Sequence, residues 1–338
     1  MRRVLPAIGL FLLAPLVGEF LLGDLPINAF AELVILAPMY GGGALLIREV
    51  CRRAGWGWPS LVALALAYGV LEEGITTQTL FNPGWAGHHL HAYGNIPALG
   101  MGGPWTVFVL SLHMLWSTTI PILFVELLTR DRRRTPWLGR IGLVVTSVIF
   151  VAGAVVVTVG GYSQSDFRAS VAQYAGCVVA MAVLILLAVF LGRSRGPATR
   201  REGRVPSAWL LGAVAFAVSS VELGIWYLGK DVVPAWLYVG LVVLTYAVVL
   251  SLARYWTRFR AWNARHELAL ASGALLTYVW LAFAAPHVLL PASPVIVLTS
   301  HVVFGLGAVA LIAVTAARLD RAARADRAGA APEVSPVR

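Results

Sequence analysis

Charge is scarce in this chain. Only 12% of its 338 residues are charged, about half the share found in a soluble domain. Lysine is nearly missing: Lys230 stands alone beside 25 arginines. Cysteine is limited to Cys51 and Cys177. The first is expected in a cytoplasmic loop and the second in mid-helix, at different depths, which argues against a disulfide. Walker, Rossmann and haem-attachment patterns are absent, which argues against an ATPase, a dehydrogenase and a c-type cytochrome. Nor does a His-Glu-x-x-His pattern occur.

What the chain has in plenty is apolar length: 59% of residues are hydrophobic and mean hydropathy is +0.79. They fall in runs of roughly 17–25 residues, enough to cross about 30 Å of hydrocarbon. A helix apolar on all sides is stable there and not in water. The pattern predicts an all-α, polytopic transmembrane bundle of about ten helices. They are expected at about 4–22, 29–49, 59–80, 105–128, 139–161, 169–192, 208–227, 235–253, 267–286 and 294–317. Met1-Arg2-Arg3 ahead of the first run resembles a signal peptide, but no small-x-small site precedes Gly18-Glu19-Phe20, so an uncleaved first helix is expected.

Basic residues give the bundle its sides. With the N-terminus inside, 24 arginines fall on the cytoplasmic side, in clusters such as Arg130 to Arg134 and Arg318 to Arg327. Only Arg168 and Lys230 fall outside. One missed span would invert every later loop, so both termini are expected in the cytoplasm. The net charge of +10 reflects topology and lends nucleic-acid binding no support. The expected partner is a lipid bilayer, as in a bacterial plasma membrane. Residues 1–317 form one membrane domain, with polar site residues mainly in 1–130 and an apolar scaffold over 139–317. The Ala/Arg/Pro-rich stretch 318–338 is expected to be a disordered cytoplasmic tail after a short helical extension.

An ionisable group inside a bilayer is costly, so each is a functional candidate. They are Glu19, Glu32, Glu72, Glu73, His113, Glu126, Glu222, His287 and His301. Glu126 is expected to pair with the basic cluster after it. Glu49, among Arg48, Arg52 and Arg53, reads as a surface residue. The others lie toward the outer side and point to an outward-facing polar cavity built mainly by the first four helices.

Glu72 and Glu73 are the strongest feature. Adjacent helical residues project about 100° apart, so both cannot readily face lipid. In low dielectric such a pair resists carrying two charges, which prepares one member as acid and the other as base. Thr76 and Thr77 follow one turn on. In the fourth helix His113 and Ser117 share a face around Trp116, and Pro121 is expected to kink the helix and free a carbonyl. In the second, Pro38 and Gly41-Gly42-Gly43 predict close packing or a local break. Glu72, Glu73 and His113 are the candidate catalytic residues; Glu32, Thr76, Thr77, Trp116 and Ser117 are candidate substrate contacts. His88, His89 and His91 in the long outer loop could hold a divalent metal, the one cofactor the sequence brings up.

Paired glutamates ending an apolar helix, with a membrane-embedded histidine in the next, resemble the CAAX protease and bacteriocin-processing family. The resemblance implies a multi-pass intramembrane protease in which Glu72 or Glu73 is the general base and His113 polarises water or the scissile carbonyl. The chain departs from the family pattern at Thr77, where an arginine is usual, and at Ser117, where Asn or Asp is usual. Three functions stay open: a hydrolase acting on a peptide or lipid-linked substrate, a proton- or cation-coupled transporter of a small molecule, and an accessory membrane subunit.

Overall fold

The computed structural model describes residues 4–194, 201–285 and 289–329. Among these, ten helices form the bundle. They are α1 (Leu5–Leu21), α2 (Ile27–Arg53), α3 (Trp58–Leu71, continued by a π turn Glu72–Thr76), α4 (Gly103–Leu128), α5 (Arg140–Gln164) and α6 (Val171–Arg193). Then come α7 (Ala208–Leu228), α8 (Ala235–Trp256), α9 (Ala264–Ala284) and α10 (Pro294–Gly329). Eight are long and apolar enough to cross a membrane; α1 and α3 are the shorter two. A small antiparallel hairpin, β1 (Asn95–Ile96) and β2 (Met101–Gly102), sits in the outer loop with Asn95 opposite Gly102.

Burial sorts the helices into layers. In α4, 78% of the spanning window is buried, against 11% in α5, α6 and α8. So α4 is the axis of the bundle, and the outer helices turn Val144, Val155, Leu186 and Leu244 to lipid. Proline opens α3 and α4 at the first turn, where a missing N–H leaves no helical bond unmade. Capping boxes start α6 (Ser170 with Gln173) and α9 (Asn263 with His266).

The glycine triplet of α2 is a packing surface, and the helix runs through it unbroken. A Cβ on Gly41 would stand 1.9 Å from the Phe11 carbonyl oxygen. That is the carbonyl which Pro15 leaves without its α-helical N–H. A Cβ on Gly43 would stand 2.7 Å from the Tyr68 ring.

Several boundaries differ from the sequence reading. Cys51 is buried in the last turn of α2 instead of lying in a loop. Glu49 is fully buried, because α2 carries it beneath the α4–α5 connection: it accepts from Arg48 at 2.7 Å and from the backbone N–H of Trp137 at 2.8 Å. Glu126 does pair with Arg133 (3.7 Å), but its closer partners are Arg48 and Arg52 of α2, at 3.1 and 2.6 Å. Helix α3 ends at Thr76, short of 80. Beyond Arg318 helix α10 continues to Gly329, its alanines favouring helix and Arg265–Asp320 and Arg130–Asp326 pairs holding it. The remaining tail lies outside the described residues.

Candidate functional site

Three helices interrupt their α register at the same place, and each interruption carries a polar side chain. The π turns are Leu16–Leu21 with Glu19, Glu72–Thr76 with both glutamates, and His113–Thr119 with His113 and Ser117. Single π turns recur at functional sites. The sequence reason is legible in α4. Pro121 has no N–H for the Ser117 carbonyl, so the register slips ahead of it, and the Thr119 hydroxyl satisfies the Met114 carbonyl at 2.6 Å. In α3 the threonines do similar work: Thr77 gives its N–H (2.8 Å) and its hydroxyl (3.0 Å) to the Glu72 carbonyl.

The convergence is tight. His113 Nδ1 lies 2.9 Å from Glu72 Oε2, and His113 Nε2 lies 2.7 Å from Glu73 Oε1. All three side chains are buried. Ser117 Oγ is 3.4 Å from His113 Nδ1. The Tyr40 and Tyr68 rings flank the imidazole, with centroids at 5.8 and 6.3 Å, and Tyr40 donates its hydroxyl to Glu19.

Hydrogen-bond polarity makes the two glutamates unequal. The Trp105 indole N–H, which can only donate, reaches Thr79 Oγ1 at 3.1 Å. Thr79 therefore spends its own proton on Glu73 Oε2, which Thr77 also approaches at 3.2 Å. Glu73 is thus held as an acceptor. Glu72 has no such support. It is 1% exposed, its Oε2 meets the ring at Nδ1, and the Tyr68 hydroxyl is its other polar neighbour. Two carboxylates in two environments suit an acid and a base.

A small cavity lies beyond Thr77, at the arginine-poor end of the bundle. This cavity, of about 110 Å³, is lined by Thr76, Thr77, Gln78, Asn82 and Trp85, by Tyr162 at the end of α5 and by Phe167 in the α5–α6 connection. Thr77 lies between this cavity and Glu73. The cavity is therefore walled by the α3–α4 connection and by the end of α5 with the turn after it, where helices one to four were expected to enclose a polar cavity. Gln78, at φ +59, turns the chain out of α3 and is pinned there by the Ala169 N–H at 2.7 Å.

Other expected residues fall elsewhere. Glu32 is half-buried at the outer start of α2 and makes none of the cluster's bonds. Trp116 turns to α9, stacking on Tyr278 at 4.9 Å and donating to the Ala274 carbonyl. His88 and His89 are exposed, while His91 bonds the Leu80 carbonyl at 3.1 Å, so the loop histidines do not converge. Among the described residues, the grouping of His, Cys, Asp and Glu that could share a metal ion is Glu72, Glu73 and His113. Glu222 is buried between α4 and α8, bonded by Ser111 (2.6 Å) and Tyr246 (2.9 Å). His301 packs on Phe283 and against Gly23. His287 lies outside the described residues. Thr79 and Tyr40 were passed over, and Trp105 read from sequence only as an interfacial ring; Thr79 reaches Glu73 through the turn at Gln78, while Trp105 and Tyr40 join the cluster through tertiary packing.

The chain belongs to a family described as an uncharacterized membrane protein family, whose model matches residues 9–325. That match overturns the resemblance to the CAAX protease and bacteriocin-processing family, which rested on a short stretch around Glu72, Glu73 and His113. No curated protein and no solved structure matches the chain. It is an integral, multi-pass membrane protein.

Proposed function

We propose that Glu72, His113 and Glu73 are the acid–base centre of a membrane-embedded hydrolase acting on a peptide or lipid-linked substrate from the outer side. The observation that carries this is the bridging imidazole, with each ring nitrogen within 2.9 Å of a different glutamate. Such a group can take a proton at one end and release one at the other. Water would enter from the outer cavity past Thr77. Glu73 takes one of its protons as the water oxygen bonds to the substrate's acyl carbon. His113 passes a proton to the leaving group as the bond to that group breaks, and Glu72 orients the ring.

Isotope transfer tests this without a known substrate. Purified protein is incubated with membrane and peptide extracts in ¹⁸O-water, and products gaining one heavy oxygen are sought by mass spectrometry. Wild type is expected to generate them, and Glu73→Gln or His113→Ala to lower the yield by about a hundredfold or more. Equal labelling by all three proteins would sink the proposal.

A second reading is proton-coupled transport. What favours it is the closed burial of the group and its extension through the Tyr40 ring to Glu19 on α1. Helix α2 runs unbroken through its glycines, so it lends this reading no discontinuous helix. Vesicles loaded with a pH dye decide it: proton entry under an imposed potential that Glu19→Gln and Glu73→Gln abolish would favour transport over hydrolysis.

A further inference from the structure

We propose that Glu72, Glu73 and His113 bind one divalent metal ion of the zinc class. This deepens the acid–base reading of the same site. Each residue offers one ligand atom, and these atoms lie within 4.8 Å of one another. Four-coordinate zinc places nitrogen and carboxylate oxygen at about 2.0–2.2 Å and takes one ring nitrogen, so the glutamate now at the other nitrogen swings toward the ion by about an ångström or more.

Charge points the same way. Two carboxylates share one buried imidazole, and apolar surroundings solvate their charge poorly. One dication balances both. The independent observation is Glu72 itself: it is 1% exposed, neither oxygen makes a well-aligned hydrogen bond, and it faces the imidazole. A bound cation would hold these oxygens.

The surroundings match what a metal site needs behind its ligands. Thr79 donates to Glu73 and Trp105 to Thr79, so the carboxylate is held in orientation from outside. The donors are nitrogen and oxygen, which suits zinc and excludes the thiolate-seeking ions. Three protein ligands leave a fourth position for water, the arrangement of catalytic zinc.

The test uses the full-length protein in detergent, stripped with a chelator, reloaded with Zn²⁺, desalted and measured by elemental mass spectrometry. Wild type is expected to retain about one equivalent. Glu73→Gln and His113→Ala are expected to retain at most a tenth of that, while Glu222→Gln and the double variant His88→Ala/His89→Ala retain all of it. A wild type without zinc, or loss in the loop double variant, would overturn the site. Should the ligand variants not fold, Thr79→Val gives a second reading, because it removes only support behind Glu73. A Co²⁺ titration followed by visible absorption should show its affinity weakened roughly 10–100-fold; unchanged affinity overturns the proposal. Isotope transfer keeps the two ideas apart. Labelling by metal-free protein that binds no zinc defeats the metal alone, and zinc binding without labelling defeats the hydrolase alone.

Discussion

The Trp105 indole N–H donates to the Thr79 hydroxyl at 3.1 Å. A donor with no acceptor capacity thereby fixes which way every later proton in the chain points. Replacing Trp105 by Phe frees Thr79 to turn its own proton elsewhere. The expected result is a three- to tenfold drop in ¹⁸O-labelled product, about the worth of one hydrogen bond. Thr79→Val should cost more, because Glu73 loses a direct partner. An unchanged yield in both would show that the polarity of the chain is irrelevant to the site.

His91 makes the outer loop sensitive to acid. Burial holds its imidazole below the ordinary value of 6.5. The folded state thus prefers the neutral ring, and the unfolded chain binds the proton first. Its contribution is complete above about pH 6.5 and is lost as pH falls toward the folded value. The unfolding midpoint should decline from about pH 7 to about pH 5, and less steeply in His91→Gln, which keeps a donor for the Leu80 carbonyl. Parallel curves would contradict this.

The cytoplasmic ion pairs should differ widely in worth. Glu126 and Arg48 are wholly buried, so Glu126→Gln takes from Arg52 its carboxylate and from Arg48 one of two, and should cost about 3–5 kcal/mol. The Arg130–Asp326 pair is more than half exposed, and Asp326→Asn should cost under about 1 kcal/mol. Chemical denaturation in one detergent compares them; similar values would refute the contrast.

Glycine substitutions should separate packing from flexibility. Gly41→Ala drives a methyl into the Phe11 carbonyl and should destabilise by about 1–3 kcal/mol or more. Gly160, in α5, has nothing within 4 Å of an added Cβ, and Gly160→Ala should be neutral or mildly stabilising. Melting curves of the two variants decide.

Orientation can be read by cysteine labelling, because Cys51 and Cys177 are both buried. Lys230→Cys should react with an impermeant maleimide on intact cells, and Arg201→Cys only after permeabilisation. The opposite pattern would reverse the charge-derived topology.

The bundle was largely legible in the chain. Apolar runs and the lopsided arginines are local properties that survive any packing arrangement, and ten helices follow from them. The glutamates and His113 stood out because charge in a bilayer is costly wherever it sits. The surroundings of the site were not legible. Glu49 reads as a surface residue among arginines, and only the path of the α4–α5 connection buries it. Trp116 shares a stretch with His113 and Ser117, yet its rotation sends it to α9. Thr79 and Trp105 belong to different segments, and no spacing rule joins them. Pro121 announced a disturbance in α4; a π turn, as opposed to a kink, depends on the neighbours that accept it.

The three π turns carry a consequence for chain length. Each holds one residue more than the α turn it replaces. Removing one residue from 113–119 would restore α geometry and swing everything on its far side by about 100° around the axis. The same holds at 16–21 and 72–76. The chemistry of this protein therefore depends on residue count as well as residue type. A relative that keeps both glutamates and the histidine but lacks one position in any of these turns should have lost the centre while keeping the bundle.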